Sequence, residues 1–217
     1  MPKSKRVIEP PLMSAPAQNR ADRRVAAFMA GINKLFRSKE FSDVKIFLGE
    51  IEVPAHRFVL SAQSRYFARA LKSKFEEGET CIFKYSEGSM HAYWRCFEYI
   101  YTGEYDEEPA AELSVQDDDE LSKDVRVYEL AQYFDIKGLK DYSLARFEAK
   151  VSKLWVSERF ADCTRDVYAS TVDTNCEMRR TVVRVARQHL QELWHKPMQD
   201  LLREGGDFVV DLMALLK

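Results

Sequence analysis

Residues 41–62, FSDVKIFLGEIEVPAHRFVLSA, confine the fold more than any other stretch of the chain. A short alternating strand starts just after Asp43. A second strand runs into Ala55-His56-Arg57 and an apolar helical turn. The two join at Gly49-Glu50, a tight hairpin signal. So small a sheet is not stable alone in water, so helices must cover it. The stretch holds no nucleophile, metal cage or phosphate cradle, and it reads as scaffold.

The flanking pattern supplies the covering helices. Residues 43–48 and 51–54 alternate as strands, 56–62 and 64–72 read as short helices, and 80–85 returns as a third strand. An aromatic-rich helix over 89–101 is stopped by Gly103. Helices follow at 123–134 and 137–150. Beyond Lys153 the pattern is all helical: 156–170, 177–195, and a last helix after Gly205-Gly206 with Asp207 as its cap, in which Phe208, Leu212, Leu215 and Leu216 share a face.

Residues 1–20 carry Pro2, Pro10, Pro11 and Pro16 and are expected to be disordered. The Lys3, Lys5 and Arg6 cluster reads as a basic tail or as a short nuclear-import signal. An amphipathic helix is expected over 21–37, with Asp22 as N-cap. Val25, Phe28, Met29, Ile32, Leu35 and Phe36 form one apolar stripe on it. Such a stripe must dock on the core or on a second subunit.

Residues 104–120 hold nine acidic residues and no basic one. A run of this kind reads as a solvated loop, or else as a docking surface for a basic partner. It spans 104–122 and interrupts the domain rather than ending it, because apolar periodicity resumes at Val125.

Composition excludes several function classes. The 217 residues are 46% hydrophobic with a formal net charge of −2, enough for a core and without the basic field of a nucleic-acid binder. No run of 18 apolar residues offers a membrane span, and no apolar segment near the N-terminus reads as a secretory signal. Cys81, Cys96, Cys163 and Cys176 form no C-x-x-C pair and are expected as reduced thiols in the cytoplasm or nucleus. His56, His91, His189 and His195 make no H-E-x-x-H, and neither a P-loop nor a G-x-S-x-G occurs. No enzyme, cofactor or metal is expected. Arg180, Arg184 and Arg187 line one helix at i, i+4 and i+7, either a solvated face or a weak nucleic-acid contact.

The order strand–strand–helix–helix–strand–helix–acidic loop–helix–helix, with the strings FSDVKIFL, VPAHRFVLSAQSRYFARAL, FEYIYTGEY and VYELAQYFDIKGLKDYSLARFE, resembles the BTB/POZ domain over residues 38–150. Asp43, Ala55-His56-Arg57, Ser64 with Tyr66-Phe67, Tyr101-Thr102-Gly103, and Leu130-Ala131 with Tyr133-Phe134 fall in family order. Residues 151–217 are similar to the C-terminal helices of many fungal BTB proteins and stand where a BACK-type segment stands. The resemblance implies an α+β fold: a small mixed sheet capped by helices, followed by an all-α extension.

It also implies a non-enzymatic job in protein–protein contact. Asp43 and Arg57 match the two positions of the charged pocket in family dimers; as a pair they close the domain's own fold or touch a partner. The helix over 21–37 resembles one that family dimers pack or exchange, which makes Val25, Phe28, Met29, Ile32, Leu35 and Phe36 candidate contacts of a homodimer. Phe75-Glu76-Glu77 matches the apolar-x-Glu motif of members that bind a cullin scaffold. Phe75 would enter an apolar pocket on the cullin, or else pack under its own loop, and Glu77 would fix the loop or accept a hydrogen bond. That reading is a substrate adaptor for a cullin–RING ubiquitin ligase; the alternative is a homodimerising scaffold in transcription or signalling. No Kelch repeat, MATH-like sandwich or zinc finger is read, so an adaptor of this kind would hold its substrate at the helical annex, the acidic loop or the N-terminal tail.

Overall fold

The computed structural model describes residues 15–171, 173 and 176–215. The expected tail 1–14, with its basic cluster, and Leu216 lie outside these residues. Helix α1 spans Ala15–Asn33, so residues 15–20 are helical rather than disordered, and Asp22 lies within the helix instead of capping it.

Strands β1 (Val44–Leu48) and β2 (Ile51–Ala55) pair antiparallel, Val44 facing Ala55 and Leu48 facing Ile51. Gly49 closes the turn at φ +58°, a conformation glycine adopts freely. Pro54 sits in β2, an edge strand, where a missing N–H is tolerated. The chain then passes through α2 (Arg57–Gln63), α3 (Arg65–Ala70) and a single turn, α4 (Glu76–Thr80). These supply the crossover that lets β3 (Ile82–Tyr85) pair parallel with β1, giving the order β2-β1-β3.

Helix α5 (Met90–Thr102) starts at the Ser89 cap, whose hydroxyl accepts from Ala92 N at 3.0 Å, and ends on Gly103 at φ +81°. Helices α6 (Ser122–Tyr133) and α7 (Lys137–Leu154) follow the acidic segment. The first core holds Ile46, Leu60, Phe67, Phe83, Phe97 and Phe134. Phe67 stacks on Phe134 with ring centres 5.1 Å apart and meets Phe83 edge-on at 5.1 Å. Ser64 ties this layer together: it caps α3 by accepting from Phe67 N and donates to Phe134 O at 2.6 Å.

The C-terminal annex comprises α8 (Arg159–Ser170), α9 (Glu177–Gln188), α10 (Lys196–Glu204) and α11 (Asp207–Leu215). The expected helix 177–195 thus stops at Gln188, although the apolar spacing Met178, Val182, Val185 runs on to the buried Leu193. A separate helix, α10, opens with Pro197 in its first turn and buries Met198 and Leu201. Leu215 is exposed, so among the described residues of the expected face Phe208 and Leu212 are the buried ones. Asp207 begins α11, and its carboxylate pairs with Arg179 at 3.1 Å.

A second core joins the annex to α6 and α7. Leu121, Val125 and Tyr128 from around α6, and Phe147 and Val151 from α7, pack with Phe160, Val182, Met198 and Phe208. Meanwhile Val127, Ala131 and Leu139 of the same two helices belong to the first core. The division expected at residue 150 therefore crosses a helix shared by both cores.

The acidic segment is a loop, solvated at Glu104, Asp106, Glu108, Asp119 and Glu120, and tied down at its other carboxylates. Arg95, 2% exposed on α5, donates to the carbonyls of Asp106 and Glu107 and to both carboxylate oxygens of Asp117. Asp124 is fully buried, accepts from the Tyr105 hydroxyl at 2.5 Å and lies 2.8 Å from Lys150 Nζ. Glu107 pairs with Arg146 and Lys150, and Glu120 with Lys123 and Lys150. Asp117, Glu107, Glu120 and, at the start of α6, Asp124 thus neutralise cations arriving from α5, α6 and α7.

Candidate protein-docking surfaces

Three surfaces contain the residues singled out from sequence, and the first is the turn that carries Phe75. After α3 the chain folds back: Ser73 Oγ donates to Ala70 O at 2.7 Å and accepts from Phe75 N at 3.3 Å. Phe75 O then receives the N–H groups of Gly78 and Glu79 at 2.9 and 3.1 Å, which starts α4. The approach is tight enough that a Cβ on Gly78 would stand 2.1 Å from Ser73 O. The Phe75 side chain does not tuck under this loop: it is 77% exposed. Phe58, 72% exposed on α2, borders a hollow of about 390 Å³ lined with Leu71, Lys72 and Ala62. Glu77 is exposed; its carbonyl accepts from Cys81 N at 3.0 Å. Burial, the neighbouring Tyr133 and the charge of Glu77 together push the Tyr66 hydroxyl well above the usual tyrosine range.

The second surface is α1. Its stripe divides in two. Ile32 near the end of α1, and Leu35 and Phe36 in the turns after Asn33, where the helix expected to reach 37 has already stopped, pack on the first core, Phe36 lying 5.6 Å from the rings of both Trp94 and Tyr101 on α5. Met29 is half-buried, while Val25 and Phe28 are each 62% exposed.

The third is the Asp43–Arg57 pair. The two residues touch, but through the backbone of one. Asp43 Oδ1 accepts from Arg57 N at 2.8 Å, which satisfies the first free N–H of α2. The guanidinium turns away, donating to Leu71 O at 2.7 Å and to Cys81 Sγ at 3.0 Å. The expected pairing of carboxylate and guanidinium is absent.

His56 is structural. Its Nε2 stands 2.9 Å from Glu40 O and its Nδ1 2.9 Å from the Tyr101 hydroxyl. A carbonyl only accepts, so Nε2 carries the proton and Nδ1 accepts from Tyr101 O–H; that same oxygen accepts from His56 N at 3.0 Å. His189 stacks on Trp155 with ring centres 3.7 Å apart. Arg179 is buried against Thr171, Tyr168 O and Asp207, and Arg180 and Arg184 pair with Glu177 and Glu148, so the arginines of α9 are largely neutralised. Among the described residues, no three His, Cys, Asp or Glu side chains gather to hold a metal, and no helix is long and apolar enough to cross a membrane.

Sequence reasoning did not single out Phe58 or Phe41. Phe41 is 81% exposed, with its backbone at φ +59°. The signal for Phe58 lies in the helical period: with Val59 and Leu60 buried, their neighbour on the opposite face must point outward.

Residues 32–147, more than half of the chain, match the BTB/POZ domain. The chain belongs to the BTB/POZ family. Its mixed sheet under a helical layer is the BTB/POZ fold, and the annex adds an all-α part. This BTB/POZ chain is 37% identical to Kelch-like protein 38 of Rattus norvegicus over 73 residues, 34% of this chain and 13% of the relative. It is 34% identical to Kelch-like protein 5 of Homo sapiens over 67 residues, 31% of this chain and 9% of that protein. The matches thus span a small part of the length of these curated relatives. Among solved structures, the BTB domain of human gigaxonin matches with a TM-score of 0.37 at 17% identity, over 64% of this chain and 97% of that one. As a BTB/POZ protein, the chain carries a protein-interaction module.

Proposed function

We propose that this BTB/POZ chain is a non-enzymatic substrate adaptor that offers the Phe75 turn to a cullin scaffold of a ubiquitin ligase. One observation carries the reading: Phe75 stands out from a turn braced by Ser73 and by the close approach of Gly78. An exposed aromatic on a preformed turn is the usual composition of a binding hot spot, because little conformational entropy is lost on docking. Phe58 and the hollow beside Leu71 extend the apolar contact. Glu77, the acidic member of the motif, is free at its carboxylate face. The annex, in the position of a BACK-type segment, holds the substrate or adds to the same contact. The working compartment is the cytoplasm or nucleus.

Capture of the chain by a cullin N-terminal domain tests the reading. Wild type binds and Phe75→Ala does not; absence of binding by wild type, or equal binding by both, removes it.

A second reading rests on α1. Val25 and Phe28 continue a stripe whose other half is already docked, and an isologous dimer covers both copies at once. The two readings are compatible, and without the cullin the dimer alone makes the chain a scaffold in transcription or signalling.

A further inference from the structure

We propose that Arg57 is a positioning residue for Phe75: its guanidinium is the strut that fixes the turn between α3 and β3, rather than half of a charged pocket.

Asp43 fixes one end of the strut. Asp43 N donates to Ala55 O at the end of β2, while its carboxylate holds Arg57 N. The Arg57 backbone is thereby tied to the sheet, and its side chain leaves from a fixed point. The guanidinium then reaches both ends of the turn. Leu71 O is the first carbonyl past α3, and Cys81, at φ +57°, is the residue on which α4 ends. One planar fork therefore joins the entry and the exit of the segment that displays Phe75, and the geometry suits arginine: two separate nitrogens of a rigid plane each meet one acceptor, where a lysine offers a single nitrogen on a flexible stem. Inside this span, Ser73 and Gly78 hold the local bend. The turn buries no side chain of α4, so polar ties of this kind, and not apolar burial, must set its shape. A charge-assisted bond to a carbonyl is among the stronger single ties available to it.

The assignment rests on the adaptor reading for its consequence, but not for its structural content, and two readouts separate them. Amide hydrogen exchange in the full chain tests the strut directly. In Arg57→Ala, exchange over residues 72–81 rises by about ten-fold or more, while amides of α5 and β1 keep their wild-type rates. Cys81→Ala, which removes the lesser acceptor and disturbs the fold less, gives a smaller rise confined to the end of α4. Unchanged exchange over 72–81 in Arg57→Ala overturns the proposal. A rise spread evenly over the whole molecule overturns it as well, since that is loss of the fold. Capture by the cullin N-terminal domain then reads the consequence: it falls in Arg57→Ala and recovers in part in Arg57→Lys, which keeps one donor near Leu71 O. If wild type is not captured, the adaptor reading fails while the exchange result still decides the role of Arg57.

Discussion

Arg95 and Asp117 meet as a bidentate ion pair beneath the acidic segment, with bonds of 2.9 and 2.6 Å. They come from opposite ends of a 22-residue separation, and the pair is 2% and 12% exposed. Because Arg95 also holds the carbonyls of Asp106 and Glu107, this one side chain pins both the start and the end of the segment.

Arg95→Ala is therefore expected to cost about 3–5 kcal/mol, the usual effect of leaving one partner of a buried pair alone. Urea denaturation measures it. Arg95→Ala with Asp117→Ala costs less than the sum of the singles, since the double variant leaves no orphan charge.

Acid should undo the same contacts. Burial opposes ionisation of Asp117, but the hydrogen bonds and charge of Arg95 outweigh it and hold the carboxyl below the usual range. Glu107 is likewise held low by Lys150 and Arg146 against its own burial. Carboxylates with a lowered folded-state pKa stabilise the protein above the unfolded value, about pH 4, and that increment is lost as pH falls through the folded value. Stability measured from pH 7 to pH 2 should drop steeply in the acid range for wild type and less steeply for Asp117→Asn. Parallel curves would count against the assignment.

Val25→Ser with Phe28→Ser leaves the docked residues Ile32, Leu35 and Phe36 intact. Sedimentation should show wild type as a dimer and the variant as a monomer with an unchanged melting temperature. A monomeric wild type ends the claim.

Tyr101→Phe removes the hydroxyl that serves both His56 N and His56 Nδ1. A cost of about 1–3 kcal/mol is expected, since a buried donor and a buried acceptor both lose their partner. Equal stability in chemical denaturation would show that water replaces the hydroxyl.

A chain ending at Lys150 should fail to melt cooperatively. Leu121, Val125, Tyr128 and Phe147 would lose their annex partners and form an exposed apolar patch. A sharp calorimetric transition at the wild-type temperature would refute this.

The hairpin was legible in the sequence because its information is local: alternation over 43–54 and one glycine at the turn. Ser64, Tyr101 and Phe134 likewise held their places in the family order. The ion pairs of the acidic segment were not legible, because counting charges treats each carboxylate as solvated. Its cations, Arg95, Arg146 and Lys150, arrive from helices that only the fold brings together. The same distance hid the true partners of Arg57, since Leu71 O and Cys81 Sγ carry no charge for a sequence pattern to match. Helix α10 was readable from Pro197 with Met198 and Leu201, but its apolar spacing runs into that of α9 and conceals the break.

Since α6 and α7 lend one face to each core, the angle between the sheet half and the annex is set by interlocked side chains and not by a linker. Two proteins held at the two ends of this molecule would be kept at a fixed bearing to each other. Any reach between them would have to come from the partners' own flexibility, and a substitution inside α6 or α7 would change the aim of the assembly without touching either contact.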